Sequence, residues 1–372
     1  MPLGTANYQS AATQNVWNLA FNRMIFSQIV NLTRKRAAFL AAISGESKER
    51  IMTYGNEEHT LQEYRGFDSN IAGAEMEWTL MAPTGVIVPT GGGAADFAAR
   101  TPVYSTPFGT AKARLTRGPL WIDLADDEVR AVQGDVVKTK NLVEATMEYW
   151  SEKLGRTFAC AVHGNNDQGA FTPADQTNTT CATWQYVVSS STEWNVIGAP
   201  QTQSVYGVDR SQAANANFAG QLYATNGTSL RLTDLRTAIT GIQATGATAK
   251  RFGILDQNGY TAVARLIETN AYANAVVLKD NTMDYSGEYF TYGNVDFLLD
   301  AFAPPDILIS DPTTWKFVAK VDPLTSNFID NVTAQGVLSQ KTYLMYGLQC
   351  KTPNRSARIL KGALGTNWGI TA

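Results

Sequence analysis

Histidine is nearly missing from this chain: His59 and His163 are the only two among 372 residues. Imidazole is the side chain most used for proton transfer near neutral pH, so general acid–base catalysis has very few candidates. His163 stands at the end of a helical pattern, where the helix dipole favours a cation, and reads as a capping or structural residue. Cysteine is scarce as well. Cys160, Cys181 and Cys350 are odd in number and far apart. Neither a disulfide framework nor a zinc spacing emerges, and a reducing compartment is the default. Charge is thin: Asp, Glu, Lys and Arg make up 17% of the residues, with a net charge of -3, against about a quarter charged in typical domains. That balance disfavours a protein that grips nucleic acid over a broad basic face. It suits a surface covered by other copies, because like-charged subunits repel at close range. No apolar run reaches the ~18 residues that a membrane-spanning helix needs. The opening MPLGTANYQS has neither a basic start nor an apolar stretch, so no secretory leader is expected.

What is present is a core and an ordered succession of patterns. Hydrophobic residues make up 44% of the chain, enough for a sizeable interior. Residues 13–43 carry apolar side chains near a 3.6-residue period (Val16, Leu19, Ala20, Met24, Ile29, Val30), which predicts helix. Arg34, Lys35 and Arg36 lie within it, either as a solvated helix face or as a DNA-facing cluster. Next comes AEMEWTLMAP, with Met76, Trp78 and Leu80 on one side, and then AKARLTRGPLWIDL, with Ala111, Ala113 and Leu115 opposite Lys112, Arg114 and Thr116. Both alternate as strands do. The long Gly- and Pro-containing segment between them predicts an extended β-hairpin, whose arms of ~15 residues at ~3.3 Å each would reach ~50 Å. A two-stranded ribbon is marginal by itself, so it needs a surface from elsewhere.

The ribbon's tip contains three successive glycines, Gly91, Gly92 and Gly93, followed by Ala94, Ala95, Asp96 and Phe97. A phosphate-binding loop needs Lys and Ser/Thr after its glycines, and a dinucleotide fold needs G-x-G-x-x-G. Both are absent, and Asp96 would repel phosphate. The glycines read as conformational, permitting positive φ at the tip. Asp126, Asp127 and Glu128 read as the acidic first turn of a short helix. Asp135 then caps a long helix running to Gly164, about 27 residues and ~40 Å. Its apolar stripe is Leu142, Met147, Trp150, Leu154, Phe158 and Ala161. From 165 to 229 charge nearly vanishes, but aromatics persist (Trp184, Tyr186, Tyr206, Phe218), predicting an ordered, loop-rich lobe. Thereafter Thr233 to Ile242 reads as helix, KRFGILDQ as a buried strand, residues from Asn258 as helix, VDFLLDA and DILIS as apolar strands, and 342–364 as a closing strand pair. Asp306 and Asp311 flank DILIS and read as turn and cap residues.

This order of parts resembles the major capsid proteins of tailed bacteriophages, the Hong Kong 97 fold. The resemblance covers most of residues 10–365 and rests on local stretches such as the helix end Phe158–Gly164 and FAPPDILISDPTTW from Phe302 to Trp315. It implies an α+β fold with a helical N-terminal arm (1–60), an extended β-hairpin loop (61–120), a peripheral domain with a spine helix (121–164), an axial domain (165–340, with insertion 165–229) and C-terminal strands returning to the peripheral domain (341–372). It implies self-assembly into hexamers and pentamers of an icosahedral head around double-stranded DNA, touched weakly and without sequence preference. Portal and, in some relatives, scaffolding or decoration proteins would be partners. The chain would be a virion protein assembled in the bacterial cytoplasm, without membrane, metal, cofactor or catalytic residues. Assembly would rest on the ribbon tip (Pro89, Gly91, Gly92, Gly93, Phe97) and on packing of Leu142, Met147, Trp150, Leu154 and Phe158. The segment Ala82–Thr110 has no lysine, which argues against the Lys–Asn cross-link of some relatives, and a scaffolding protein is expected as a separate chain, if at all. Two alternatives stand beside this reading: an encapsulin-type compartment shell, and a carbohydrate-binding virion surface protein using the aromatic, Asn-rich lobe.

Overall fold

The computed structural model describes residues 37–44, 47–54, 57–64, 66–68, 73–81, 108–125, 136–165, 171–189, 204–211, 215, 218–224, 229–247, 250–269, 289–321, 329–330, 337–360 and 369–370. Two sheets organise them. The first has seven strands, in the order Ser47–Tyr54, Glu57–Tyr64, Phe67–Asp68, Trp315–Val321, Val337–Cys350, Ile329–Asp330, with Thr116–Ala125 also on Val337–Cys350. That 14-residue strand is the spine of the sheet. It pairs Trp315–Val321 over 344–350 and Thr116–Ala125 over 337–346.

The second sheet runs Tyr289–Tyr292, Val295–Leu299, Arg251–Leu255, Ile307–Ser310, Ser356–Leu360, Gln221–Ala224. Arg251–Leu255 and Ile307–Ser310 are buried along their whole length. Both faces are therefore covered, which is why FGIL and ILI, within these strands, read as continuous apolar stretches. Period-2 alternation divides their side chains between two cores. Phe252, Ile254, Leu298 and Leu308 join a core with the long helix. Leu255, Val295, Phe297, Ile307 and Ile309 join another with helices Leu232–Ala244 and Gln257–Thr269. Gly253 is required by close packing, since a Cβ there would stand 2.4 Å from Phe297 Cδ1.

The long helix spans Val136–His163, 28 residues, ending beside Gly164 at φ +66°. Trp150, Leu154 and Phe158 are buried against the first core, with Ala159 and Val162. The short helix Ala38–Ser44 is buried in full. Phe39 packs edge-on against Phe252, Trp315 and His163.

Several expected boundaries move. Residues 47–54 and 57–64, which straddle the expected boundary at residue 60 between helical arm and extended loop, form an antiparallel hairpin in register Lys48↔Glu63, Arg50↔Leu61, Met52↔His59. Its strand sequences, SKERIMTY and EEHTLQEY, contain no sustained apolar alternation to announce it. The ribbon is correspondingly shorter at its base than 61–120. Its strands are Glu75–Met81 and Phe108–Arg114, while Thr116–Ala125 belongs to the seven-stranded sheet. Thr116, expected on the solvent side with Lys112 and Arg114, is buried. The alternation holds through Leu115, which is buried and whose N–H donates to Ala74 O across the ribbon's neck, and breaks at Thr116. The closing strands separate: Val337–Cys350 stays in the seven-stranded sheet and Ser356–Leu360 joins the other. Residues 13–36 and 126–135, expected as helix, lie outside the described residues, as does the capping role of Asp135.

Candidate assembly ribbon and its anchor

The ribbon is built by strict cross-strand pairing: Met76↔Ala113, Trp78↔Ala111, Leu80↔Gly109. Met76, Trp78, Ala111 and Ala113 turn one face inward and are buried; Glu75, Glu77, Thr79, Thr110, Lys112 and Arg114 turn outward. This is the half-buried alternation read from the sequence. Lys112 Nζ and Glu77 Oε1 meet at 3.3 Å on the exposed face, with both side chains more than half accessible. An ion pair in that setting adds little. The tip residues Pro89, Gly91, Gly92, Gly93 and Phe97 lie outside the described residues.

The base of the ribbon is held by the loop-rich lobe. Ser204–Val205 and Val208–Asp209 form a minimal hairpin with Tyr206 at φ 54° and Gly207 at φ 75° at its turn. Two successive positive-φ residues match the twist of a two-residue hairpin loop. Glycine is the usual residue for such a position; tyrosine is not. The Tyr206 ring meets Trp78 edge-on at 4.9 Å. Its hydroxyl donates to Leu348 O at 2.7 Å, and its carbonyl accepts the Lys112 N–H at 3.1 Å. Its own N–H donates to the Asp175 carboxylate. Burial pushes Asp175 up to about 6, against the opposing pull of the Gln176 and Tyr206 N–H groups and the Arg210 charge. Arg210, lowered to about 10 by burial, clamps the end of helix Trp184–Val187 through the Val187 and Ser189 carbonyls.

Gln176 closes the same region. Its Nε2 donates to Thr116 Oγ1 at 2.8 Å and to Arg114 O at 3.2 Å. Its Oε1 accepts the N–H groups of Ala182 and Leu348. One buried amide thus ties the ribbon's exit, the lobe and strand Val337–Cys350 together. Loops between such elements carry no periodicity, so neither Asp175 nor Gln176 stands out in the sequence. Gly207 is the local turn signal at this hairpin.

A second junction lies at the end of the long helix. Trp184 Nε1 can only donate, so His163 Nδ1 accepts it, at 2.6 Å. The ring proton then sits on Nε2, which donates to Asp300 Oδ2 at 3.0 Å. Burial raises Asp300, but the His163 bond and the N–H groups of Phe302 and Phe39 outweigh it and hold the carboxyl below its ordinary value. Both ring nitrogens of His163 are committed, so the residue holds structure and has no free site for proton transfer.

The other polar candidates are likewise engaged. Asp311 accepts the Thr313 N–H and caps the turn 312–314. Asp306 accepts from Gln185 and pairs with Arg358 at 3.5 Å. Burial pushes the Cys181 thiol up to about 12 and that of Cys350 still higher. Among the described residues, no group of three His, Cys, Asp or Glu could hold a metal, and no helix is long and apolar enough to cross a membrane. On the long helix, Trp150, Leu154 and Phe158 face the core. Leu142 and Met147 fall on described backbone, but their side chains lie outside the described set, as do Arg34, Lys35 and Arg36. The opposite face of this helix borders an open groove of about 690 Å³ lined by Tyr149, Glu152, Lys153, Arg156 and Cys160.

No family model matches this chain and no curated protein matches its sequence. Solved structures do match. The capsid asymmetric unit of cyanophage A-1(L) aligns with a TM-score of 0.51 at 13% identity, covering 79% of this chain and 90% of that one. The chain has the Hong Kong 97 capsid fold. The capsid of the empty GTA particle aligns at 0.44 with 9% identity, covering 78% and 87% of the two chains. The holo-SrpI encapsulin of Synechococcus elongatus aligns at 0.42 with 11% identity, covering 69% and 79%. In Hong Kong 97 terms the fold is α+β, and the ribbon strands Glu75–Met81 and Phe108–Arg114 precede the long helix Val136–His163, as expected from the sequence.

Proposed function

We propose that this chain is a shell-forming subunit, the major capsid protein of a tailed phage, assembling as hexamers and pentamers of an icosahedral head around double-stranded DNA. The observation that supports this reading is the Hong Kong 97 fold, shared with the cyanophage A-1(L) capsid over 90% of that chain. In this reading strands Glu75–Met81 and Phe108–Arg114 begin the extended loop, and helix Val136–His163 is the spine of the peripheral domain. The six-stranded sheet belongs to the axial domain. The ribbon anchors its base on its own subunit and lays the segment beyond Met81 across the next. Many modest contacts repeated around a closed shell give high stability while each stays weak enough to be corrected. The slight negative charge fits a container that stores DNA without gripping it. Portal, scaffolding or decoration proteins are further partners in this reading, and the virion, assembled in the host cytoplasm, is its location.

The test is assembly. Purified chain, with and without candidate scaffolding proteins, is sized by sedimentation and viewed by negative-stain microscopy. Uniform hollow particles are expected. Monomers that persist under all conditions overturn the reading. Nuclease-protected DNA in particles from infected cells would distinguish a phage head from a compartment that carries protein cargo.

A further inference from the structure

We infer that Tyr206 is a positioning residue that locks the ribbon to the lobe, so that the lobe, and not the ribbon's own neck, sets the angle at which the ribbon leaves its subunit. This rests on the capsid reading for its purpose, though not for its geometry. The ribbon pairs with no third strand among the described residues, and an isolated two-stranded ribbon holds its shape poorly. At its neck, Leu115 N–H to Ala74 O and the Gln176 bond to Arg114 O fix where the strands emerge. A neck alone leaves the ribbon free to swing.

Both swing directions are stopped by one residue. Lys112 lies beyond the neck, on the strand edge facing away from Glu75–Met81. Its N–H bonds Tyr206 O, which stops movement in the plane of the ribbon. Trp78, on the buried face, packs edge-on against the Tyr206 ring, which stops movement out of that plane. Tyr206 in turn is fixed by its hydroxyl on Leu348 O, by Phe218 against its ring and by its N–H on Asp175. A bulky residue at φ 54° is unfavourable, and the surroundings must over-determine it to keep it there. Glycine would serve the turn, but it would supply no ring for Trp78 and no hydroxyl for Leu348. The strained tyrosine is explained by the ribbon it holds. A shift of the lobe would then carry the ribbon with it.

The register allows a clean test. Lys112 and Glu77 form a pair whose N–H groups point away from the ribbon's own ladder, so Lys112→Pro removes the bond to Tyr206 without taking a ladder bond. Lys112→Ala is the control: it loses the same side chain and keeps the N–H. Amide hydrogen exchange is measured on the purified subunit. Ribbon amides of Met76, Trp78, Ala111 and Ala113 are expected to exchange about tenfold faster in Lys112→Pro than in Lys112→Ala, the factor a single hydrogen bond gives. Amides of 150–162 in the long helix should be unchanged. Equal ribbon exchange in the two variants overturns the lock, and so does acceleration spread equally over the long helix. If Lys112→Pro does not fold, Tyr206→Phe against wild type decides by the same two readings, since it frees the ring from Leu348. Where wild-type shells form, Lys112→Pro should give a broader spread of particle diameters than Lys112→Ala; identical distributions count against the lock. A wild-type chain that never closes shells sinks the capsid reading and leaves the exchange comparison to decide the lock by itself.

Discussion

His163 and Asp300 meet at 3.0 Å across 137 residues of sequence. Each is buried, and each serves the other: the imidazole donates to the carboxylate, and the carboxylate fixes the tautomer that lets Trp184 donate to Nδ1. His163→Leu leaves Asp300 buried without its strongest side-chain donor. The expected loss is about 3–5 kcal/mol, read as a lower urea midpoint with unchanged slope. The Asp300 carboxyl is held below its ordinary value, so its contribution is fully present above about pH 4 and disappears as pH falls further. Asp300→Asn should remove that acid-side loss.

Asp175 works in the opposite sense and in a different pH window. Its carboxyl is raised to about 6 by burial, so between about pH 4 and pH 6 the folded state holds a proton that the unfolded chain has released. Stability therefore falls as pH rises through that window and levels off above it. Allowing for partial exposure, the drop is about 2 kcal/mol. Arg210, Tyr186 and Tyr206 surround Asp175, and burial pushes both tyrosines up, so only Asp175 changes charge there. Asp175→Asn should flatten the slope in urea titrations at pH 4, 5 and 6; an unchanged slope would place its origin elsewhere.

Gln176 spends its whole amide on three elements. Gln176→Leu keeps the volume and leaves the Ala182 and Leu348 N–H groups without that acceptor. A loss of about 2–4 kcal/mol is expected, and calorimetry would measure it. A loss under about 0.5 kcal/mol, the level of an ordinary surface change, would mean that water or backbone takes over.

Gly253 is a packing requirement. Gly253→Ala would drive a methyl into the Phe297 ring, 2.4 Å from Cδ1 and 2.7 Å from Cε1. Overpacking of this kind is expected to destabilise by about 1–3 kcal/mol. Phe297→Leu in the same chain should recover part of that, a coupling that a double-mutant cycle would detect.

The thiols offer a quick check of the core. Cys181 and Cys350 are buried and raised far above the ordinary thiol range, while Cys160 is only partly covered. A disulfide reagent at pH 7 to 8 should label Cys160 in the native protein and all three after unfolding. Fast native labelling of Cys350 would contradict the packing of strand Val337–Cys350.

Periodicity carried much of this fold in the sequence. The stripe ending in Trp150, Leu154 and Phe158, the alternation of Met76 and Trp78 with Glu75 and Glu77, and the apolar stretches FGIL and ILI are local signals. Each depends only on which side of a helix or strand meets water, and the elements formed as those patterns require. Thr116 marks where the pattern misled. It follows the ribbon's last inward residue, Leu115, and turns inward as well, to Gln176, a partner 60 positions away that no local rule names. The hairpin 47–64 is illegible for a related reason: SKERIMTY and EEHTLQEY lack apolar alternation, and only the pairing between strands identifies them.

The amino-acid sequence by itself thus determined the long helix, the ribbon strands that precede it and the buried strands that follow, because burial of apolar side chains follows a local period. Only the tertiary structure decided what holds these parts together. Tyr206, Asp175 and Gln176 at the ribbon's base, and His163 with Asp300 and Trp184 at the helix end, are joined by directional hydrogen bonds between distant positions. The physical reason is that a hydrogen bond is set by distance and angle in three dimensions, and a buried polar group must find its partner wherever the fold brings one.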